Sequence, residues 1–216
     1  IAWVFALGAS LFILGGILWL IPDLALRLSV DQQGVATVFF AGSIPFTTAA
    51  YLQLFQAANA RTPAPAELPR RRLAWFGWYP GDIGWLGCAF QFAGTVLFNI
   101  NTFDALVPGL NWFQQDLAIW APDMIGSALF LSAGYLAFIE CTRSAGLWQP
   151  AQLSWWIAAV NLAGCVAFMI SGVLAFVPAA PADTVWATLS TVFTVAGAAA
   201  FLLGSLLMLP EPQPGL

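Results

Sequence analysis

Six stretches of this chain run for about twenty residues with no charged side chain near the middle. They are Ile1–Ile21, Gly34–Ala58, Ile83–Phe103, Met124–Cys141, Leu153–Val177 and Thr184–Leu209. About 20 apolar residues at 1.5 Å per residue cross roughly 30 Å of hydrocarbon, and only helices or closed barrels satisfy their backbone there. The remaining sequence offers no alternative solvent. Of 216 residues 61% are hydrophobic and 7% charged, where soluble domains carry about 25% charge. Sixteen charged side chains do not cover a soluble surface of this size. The fold class expected is an all-α integral membrane protein. Six transmembrane helices form one polytopic domain over 1–216, and the lipid bilayer is the first partner.

Each segment carries a glycine followed four residues later by a phenylalanine: Gly8/Phe12, Gly42/Phe46, Gly94/Phe98, Gly126/Phe130, Gly164/Phe168 and Gly197/Phe201. Within successive pairs of segments the glycines are 34 (8 to 42), 32 (94 to 126) and 33 (164 to 197) residues apart. That rhythm predicts three tandem helical hairpins over approximately 1–58, 83–141 and 153–209. Fourteen residues after the second glycine of each hairpin come Gln56, Glu140 and Glu211, about 21 Å further along a helix. Hairpins two and three also share Trp78/Trp148, Trp85/Trp155 and Gln91/Asn161 at an offset of 70. Trp3 lies five residues before Gly8, whereas Trp85 and Trp155 lie nine before theirs, so the register expects more chain before Ile1. Positions i and i+4 share a helix face. A glycine there admits a neighbouring backbone and the phenylalanine fills the space beside it, so the twelve residues are expected to be helix-packing residues. A small or polar residue also stands seven after each glycine: Gly15, Ala49, Asn101, Ala133, Ser171 and Gly204. That interval suits left-handed packing.

Alternation of six spans places both termini and the loops 59–82 and 142–152 on one side. That side holds Arg61, Arg70, Arg71, Arg72 and Arg143, and the other only Arg27. The positive-inside bias makes the arginine-rich side cytoplasmic. The linker 59–82 ends in Trp75-Phe76-Gly77-Trp78-Tyr79, an expected interfacial anchor. Arg70, Arg71 and Arg72 beside it are candidates for a lipid-headgroup contact. Pro45 inside the second segment is expected to bend it or loosen a turn.

The Gly-Ser-x-x-Phe of a second hairpin helix, Gly42-Ser43-x-x-Phe46 and Gly126-Ser127-x-x-Phe130, resembles the YrhK-like family of bacterial membrane proteins. The third hairpin departs from it with Gly197-Ala198. The resemblance implies a hairpin fold in a bacterial inner (plasma) membrane and carries no catalytic residues.

Chemistry finds little purchase. The chain has no histidine, and Cys88, Cys141 and Cys165 lack metal-ligand spacing, so they are expected to be packing residues. No catalytic, cofactor-binding or metal site is assigned, and an enzyme is not expected. A net charge of −4 is no footprint for nucleic acid. Asp123 and Asp183 are expected as helix N-caps, and Glu140 as an interface anchor paired with Arg143 or the arginine cluster. Gln91 and Asn161 are expected to hydrogen-bond between helices. Asn99 and Thr102, which share a face at the outer end of segment three, are candidates for a polar ligand site. The favoured function is a non-catalytic structural, accessory or scaffold subunit packing against other membrane proteins or its own copies. The alternative is a small-molecule or ion transporter or channel with pseudo-threefold repeats. A continuous polar cavity lined by Asn99, Asn161, Thr47 and Thr194 favours transport, and a dry, close-packed centre opposes it.

Overall fold

The computed structural model describes residues 1–60, 73–143, 146–177 and 184–209. Among these residues there are helices and no strands. The first, α1 (Ala2–Leu20), stops where Pro22 follows Ile21. Ile21 takes the extended backbone (φ −123°, ψ 77°) imposed on a residue before proline. Pro22 then opens the short α2 (Pro22–Arg27), at the first helical position where its missing N–H costs nothing. The long α3 (Gln32–Asn59) is capped by Asp31, whose carboxylate accepts from Gly34 N at 2.8 Å. Pro45 lies inside α3. The segment is one unbroken helix from end to end, longer than Gly34–Ala58. In the same way Asp82 caps α4 (Ile83–Asp104), accepting from Trp85 N at 2.8 Å.

The fourth span starts earlier than its apolar run. Asn111 and Gln114 form a reciprocal capping box that opens α5 (Trp112–Gln115). A π-helical turn, Asp116–Trp120, joins α5 directly to α6 (Ala121–Thr142). Asp123 is therefore not an N-cap. It sits well inside a continuous 31-residue span, Trp112–Thr142. Two further helices, α7 (Leu153–Leu174) and α8 (Thr184–Leu207), complete the set. Among the described residues six helices are long and apolar enough to cross a bilayer, consistent with a helical membrane protein. Asp183, Glu211, Arg61 and the Arg70, Arg71, Arg72 cluster lie outside the described residues.

The spans close into a ring. α1 packs on α3, α3 on α4, α4 on α6, α6 on α7, α7 on α8, and α8 returns to α1. Between lipid-facing helices the hydrophobic effect offers little, so close packing must hold the ring. The motif glycines supply it reciprocally. A Cβ on Gly94 would stand 3.0 Å from the Gly126 carbonyl oxygen, and one on Gly126 3.2 Å from that of Gly94. Gly8 with Gly42 and Gly164 with Gly197 repeat the arrangement. At each crossing two backbones touch where any side chain would hold them apart.

The six motif phenylalanines converge in one cluster, none more than 6% exposed. Within the successive helix pairs their ring centroids are 5.4 Å (Phe12–Phe46), 5.0 Å (Phe98–Phe130) and 5.6 Å (Phe168–Phe201) apart. Between pairs, Phe12–Phe168 (6.2 Å), Phe46–Phe201 (5.9 Å), Phe98–Phe168 (5.7 Å) and Phe130–Phe201 (5.8 Å) join them across the ring. All but Phe98–Phe168 and Phe168–Phe201, which are tilted, meet edge-to-face, and aromatic pairs of this kind are worth about 0.5–1.5 kcal/mol each beyond their area. The centre of the bundle is a layer of aromatic rings.

Candidate functional site: two cavities on either side of a phenylalanine layer

The larger cavity, about 550 Å³, lies on the side where α4 and α7 begin and α6 and α8 end, and Ile83, Ser154, Glu140 and Met208 all border it. We call this the terminal face. Phe130 and Phe201 of the aromatic layer form part of its lining. A smaller cavity, about 220 Å³, has Phe12, Phe98 and Phe168 in its lining and reaches towards the opposite face. A recess of about 490 Å³ shares Phe39, Asn101, Thr102, Gln115 and Ile119 with it and extends to the 105–110 turn. The layer thus stands between a chamber on one side and a chamber with a vestibule on the other.

The repeat register decides what each wall carries. Seven residues past the first glycine of each helix pair stand Gly15, Asn101 and Ser171, and three before the second stand Phe39, Asp123 and Thr194. In space these residues meet two by two. The Phe39 ring occupies the room beside Gly15, 3.1 Å from where a Cβ would lie. Asn101 Nδ2 donates to Asp123 Oδ1 at 2.8 Å. Ser171 Oγ and Thr194 Oγ1 are 2.7 Å apart. Phe39, Asn101, Asp123, Ser171 and Thr194 all line the smaller cavity. One wall is aromatic, one acidic and one hydroxylic.

The larger cavity follows the same rule. Three residues before the first glycines stand Phe5, Gln91 and Asn161, all in its lining. Gln91 and Asn161 make no interhelical hydrogen bond among the described residues. Gln91 borders the chamber, and the Asn161 carboxamide borders it while lying over Gly204 of α8. Gln53 adds a buried Oε1 without a partner. Glu140 borders the mouth of the chamber. Its carboxylate lies over Gly84, where a Cβ would stand 2.9 Å from Oε2. It forms no ion pair with Arg143 among the described residues. Cys88, Cys141 and Cys165 are free thiols in the same lining. No group of three or more His, Cys, Asp or Glu residues converges among the described residues.

Asn99 and Thr102 do not make a site together. Asn99 Nδ2 donates to Thr47 Oγ1 at 2.7 Å, and Thr47 Oγ1 to Thr95 O at 3.1 Å, within the α3–α4 seam. Thr102 Oγ1 lies 3.1 Å from Ser43 Oγ. Both side chains face α3, while their neighbour Asn101 faces Asp123. The pair that matters escapes a reading by apolar segments, because Asp123 then falls at a helix end. The register positions seven past and three before the glycines are the signal that finds it.

On the terminal face the tryptophans at offset 70 act alike. Trp85 Nε1 donates to Phe76 O at 2.9 Å, and Trp155 Nε1 to Leu147 O at 3.0 Å. Each buried indole pins the loop that leads into its helix, and the exposed Trp78 and Trp148 stack edge-on against them.

No family model, curated protein or solved structure matches the chain.

Proposed function

We propose that the protein is a non-catalytic carrier or channel for a small polar solute, with three tandem hairpins about a pseudo-threefold axis along the membrane normal. The observation that carries this reading is the pair of polar-walled cavities separated by the six-phenylalanine layer. A scaffold has no use for chambers on its axis. The larger one falls within the roughly 300–1,000 Å³ of small-molecule sites. Parallel repeats around a central pathway are a known transporter plan. The pathway is not continuous: the rings interrupt it. Asn161 lines one chamber and Thr194 the other, while Thr47 and Asn99 are spent in a helix seam. A single aromatic layer between two chambers is the barrier an alternating carrier needs.

Both termini are proposed to be cytoplasmic, in a bacterial inner membrane, on the argument of the arginine distribution. The larger chamber then opens inward and the smaller outward. Membership of a YrhK-like family is proposed on the Gly-Ser-x-x-Phe motifs alone. The accessory-subunit reading is supported by outward apolar rows such as Leu7, Leu14 and Val173, but lipid demands such rows of any span.

Cys165 tests the choice. It is 3% exposed, borders the larger chamber and belongs to the phenylalanine cluster. In a Cys88→Ala/Cys141→Ser background, a membrane-impermeant thiol reagent should modify it from either side of sealed vesicles. Modification from the terminal face only, or from neither, would mean that the layer never opens and would favour the scaffold.

A further inference from the structure

We propose that the smaller cavity binds a small organic monocation, a primary amine in its ammonium form, with Asp123 as its counter-charge. The inference deepens the reading of the two chambers as solute sites and rests on it.

The argument is an account of donors and acceptors. Each side-chain nitrogen bordering this cavity already donates a hydrogen bond inside the protein. Asn101 Nδ2 is given to Asp123, Trp120 Nε1 to Gly172 O at 2.9 Å, and Gln115 Nε2 to Leu110 O at 2.8 Å. The hydroxyls are spent in the same way. Ser190 Oγ donates to Ser171 O, Thr191 Oγ1 to Ala187 O, Thr194 Oγ1 to Ser190 O and Thr102 Oγ1 to Phe98 O. Ser171 Oγ lies within 3.1 Å of Ser190 O, Ser190 Oγ and Thr194 Oγ1.

What remains for an occupant is acceptors. Asn101 is 6% exposed, and its Oδ1 is buried with no partner, in a residue that lines the cavity. Asp123 receives one hydrogen bond among the described residues, on Oδ1, and no cationic side chain accompanies it in the lining. A carboxylate with so little compensation in a low-dielectric interior is costly unless it takes up a proton or a cation joins it, and an ammonium ion supplies the charge and the N–H together. An anion would meet the Asp123 carboxylate with no cationic side chain in the lining to offset it. An ammonium group brings N–H donors and a positive charge to a wall of unpaired oxygens.

Size and shape separate an amine from a bare metal ion. The cavity is about 220 Å³, several times the ~30 Å³ share of one water molecule. The rest of its wall is largely apolar, with Phe12, Phe39, Phe98 and Phe168 among its members. A desolvated alkali ion would leave that apolar volume unfilled. A short alkyl chain fills it, and the aromatic faces favour a nearby cation.

The test is equilibrium binding to the purified full chain in detergent. Propylammonium chloride is titrated by calorimetry, with thermal shift in parallel, against 1-propanol and against sodium chloride at equal ionic strength. Propylammonium should bind saturably and raise the midpoint of unfolding, and the alcohol and sodium should not. Asp123→Asn should weaken binding at least about thirtyfold, the loss expected when one member of a buried charge pair is neutralised. Thr194→Val, a near-isosteric change, should weaken it to a smaller degree and serves if Asp123→Asn does not fold. Asn161→Leu, in the other chamber, should leave it unchanged. Equal binding of the alcohol, a response to sodium alone, or an affinity indifferent to Asp123→Asn and Thr194→Val overturns the proposal. Amine binding with Cys165 closed to one side would sink the carrier reading and leave this site standing.

Discussion

A single methyl group measures how tightly the ring is drawn together. At Gly94 a Cβ would meet the Phe130 ring at 2.7 Å and the Gly126 carbonyl at 3.0 Å. The backbone contact cannot yield without parting α4 from α6. Gly94→Ala is expected to cost about 1–3 kcal/mol by overpacking, read as a lower midpoint of thermal unfolding in detergent. Gly81, with nothing within 4 Å of its Cβ position, should tolerate Gly81→Ala within about 0.5 kcal/mol. The glycine and phenylalanine positions are legible in sequence because spacing alone places them on one face. The partners of polar residues are not. Asn99 and Asn101 differ by two positions, about 200° around a helix, so they face different neighbours. Only the packed ring shows that one meets Thr47 and the other Asp123.

Helices obey local signals where those are strong. Pro22, which ends α1, is readable before any tertiary contact is known, and Asp31 and Asp82 cap α3 and α4 through local bonds that the expectation of caps at Asp123 and Asp183 passes over. The start of the fourth span is not so readable. Its apolar run begins near Met124, but the Asn111–Gln114 capping box sets the chain helical from Trp112. A π-helical turn just before Pro122 leads into α6, so the proline, which has no N–H to continue the ladder, follows a stretch where the regular α pattern is already relaxed. Tertiary bonds hold that stretch: Trp120 Nε1 reaches Gly172 O, and Asp116 Oδ1 accepts from Val177 N at 3.1 Å. Pro45 shows the converse, a helix breaker absorbed within α3. The tryptophan struts before α4 and α7 permit a matched comparison. Trp85→Phe and Trp155→Phe keep a buried ring and remove one hydrogen bond each. Both should lower thermal stability by about 1 kcal/mol, and by similar amounts, because the two indoles hold equivalent loops.

At the scale of the whole bundle, repetition builds the frame and divergence builds the site. The six glycines and phenylalanines are the same in every helix pair, and they make the ring and its central layer. The positions seven past and three before them differ from pair to pair, and these line the chambers. Hence the frame can be read from the motif, whereas the chambers emerge only when the pairs are set in a ring. At these register positions the first pair contributes aromatic side chains, Phe39 or Phe5, and the other two contribute polar ones, while Gln53 of the first pair adds a polar group to the larger chamber.

The central claim is that six phenylalanine rings are all that separates the two chambers. Osmotic swelling of proteoliposomes in glycerol measures it directly. Phe130→Ala/Phe201→Ala removes two touching rings, 5.8 Å apart between centroids, from the wall of the larger chamber. Folded protein bearing both changes should admit glycerol at least about tenfold faster than wild type, because a water-filled path replaces an apolar barrier. A folded double variant no more permeable than protein-free vesicles would contradict the account, and would make the layer the core of a solid bundle rather than a gate.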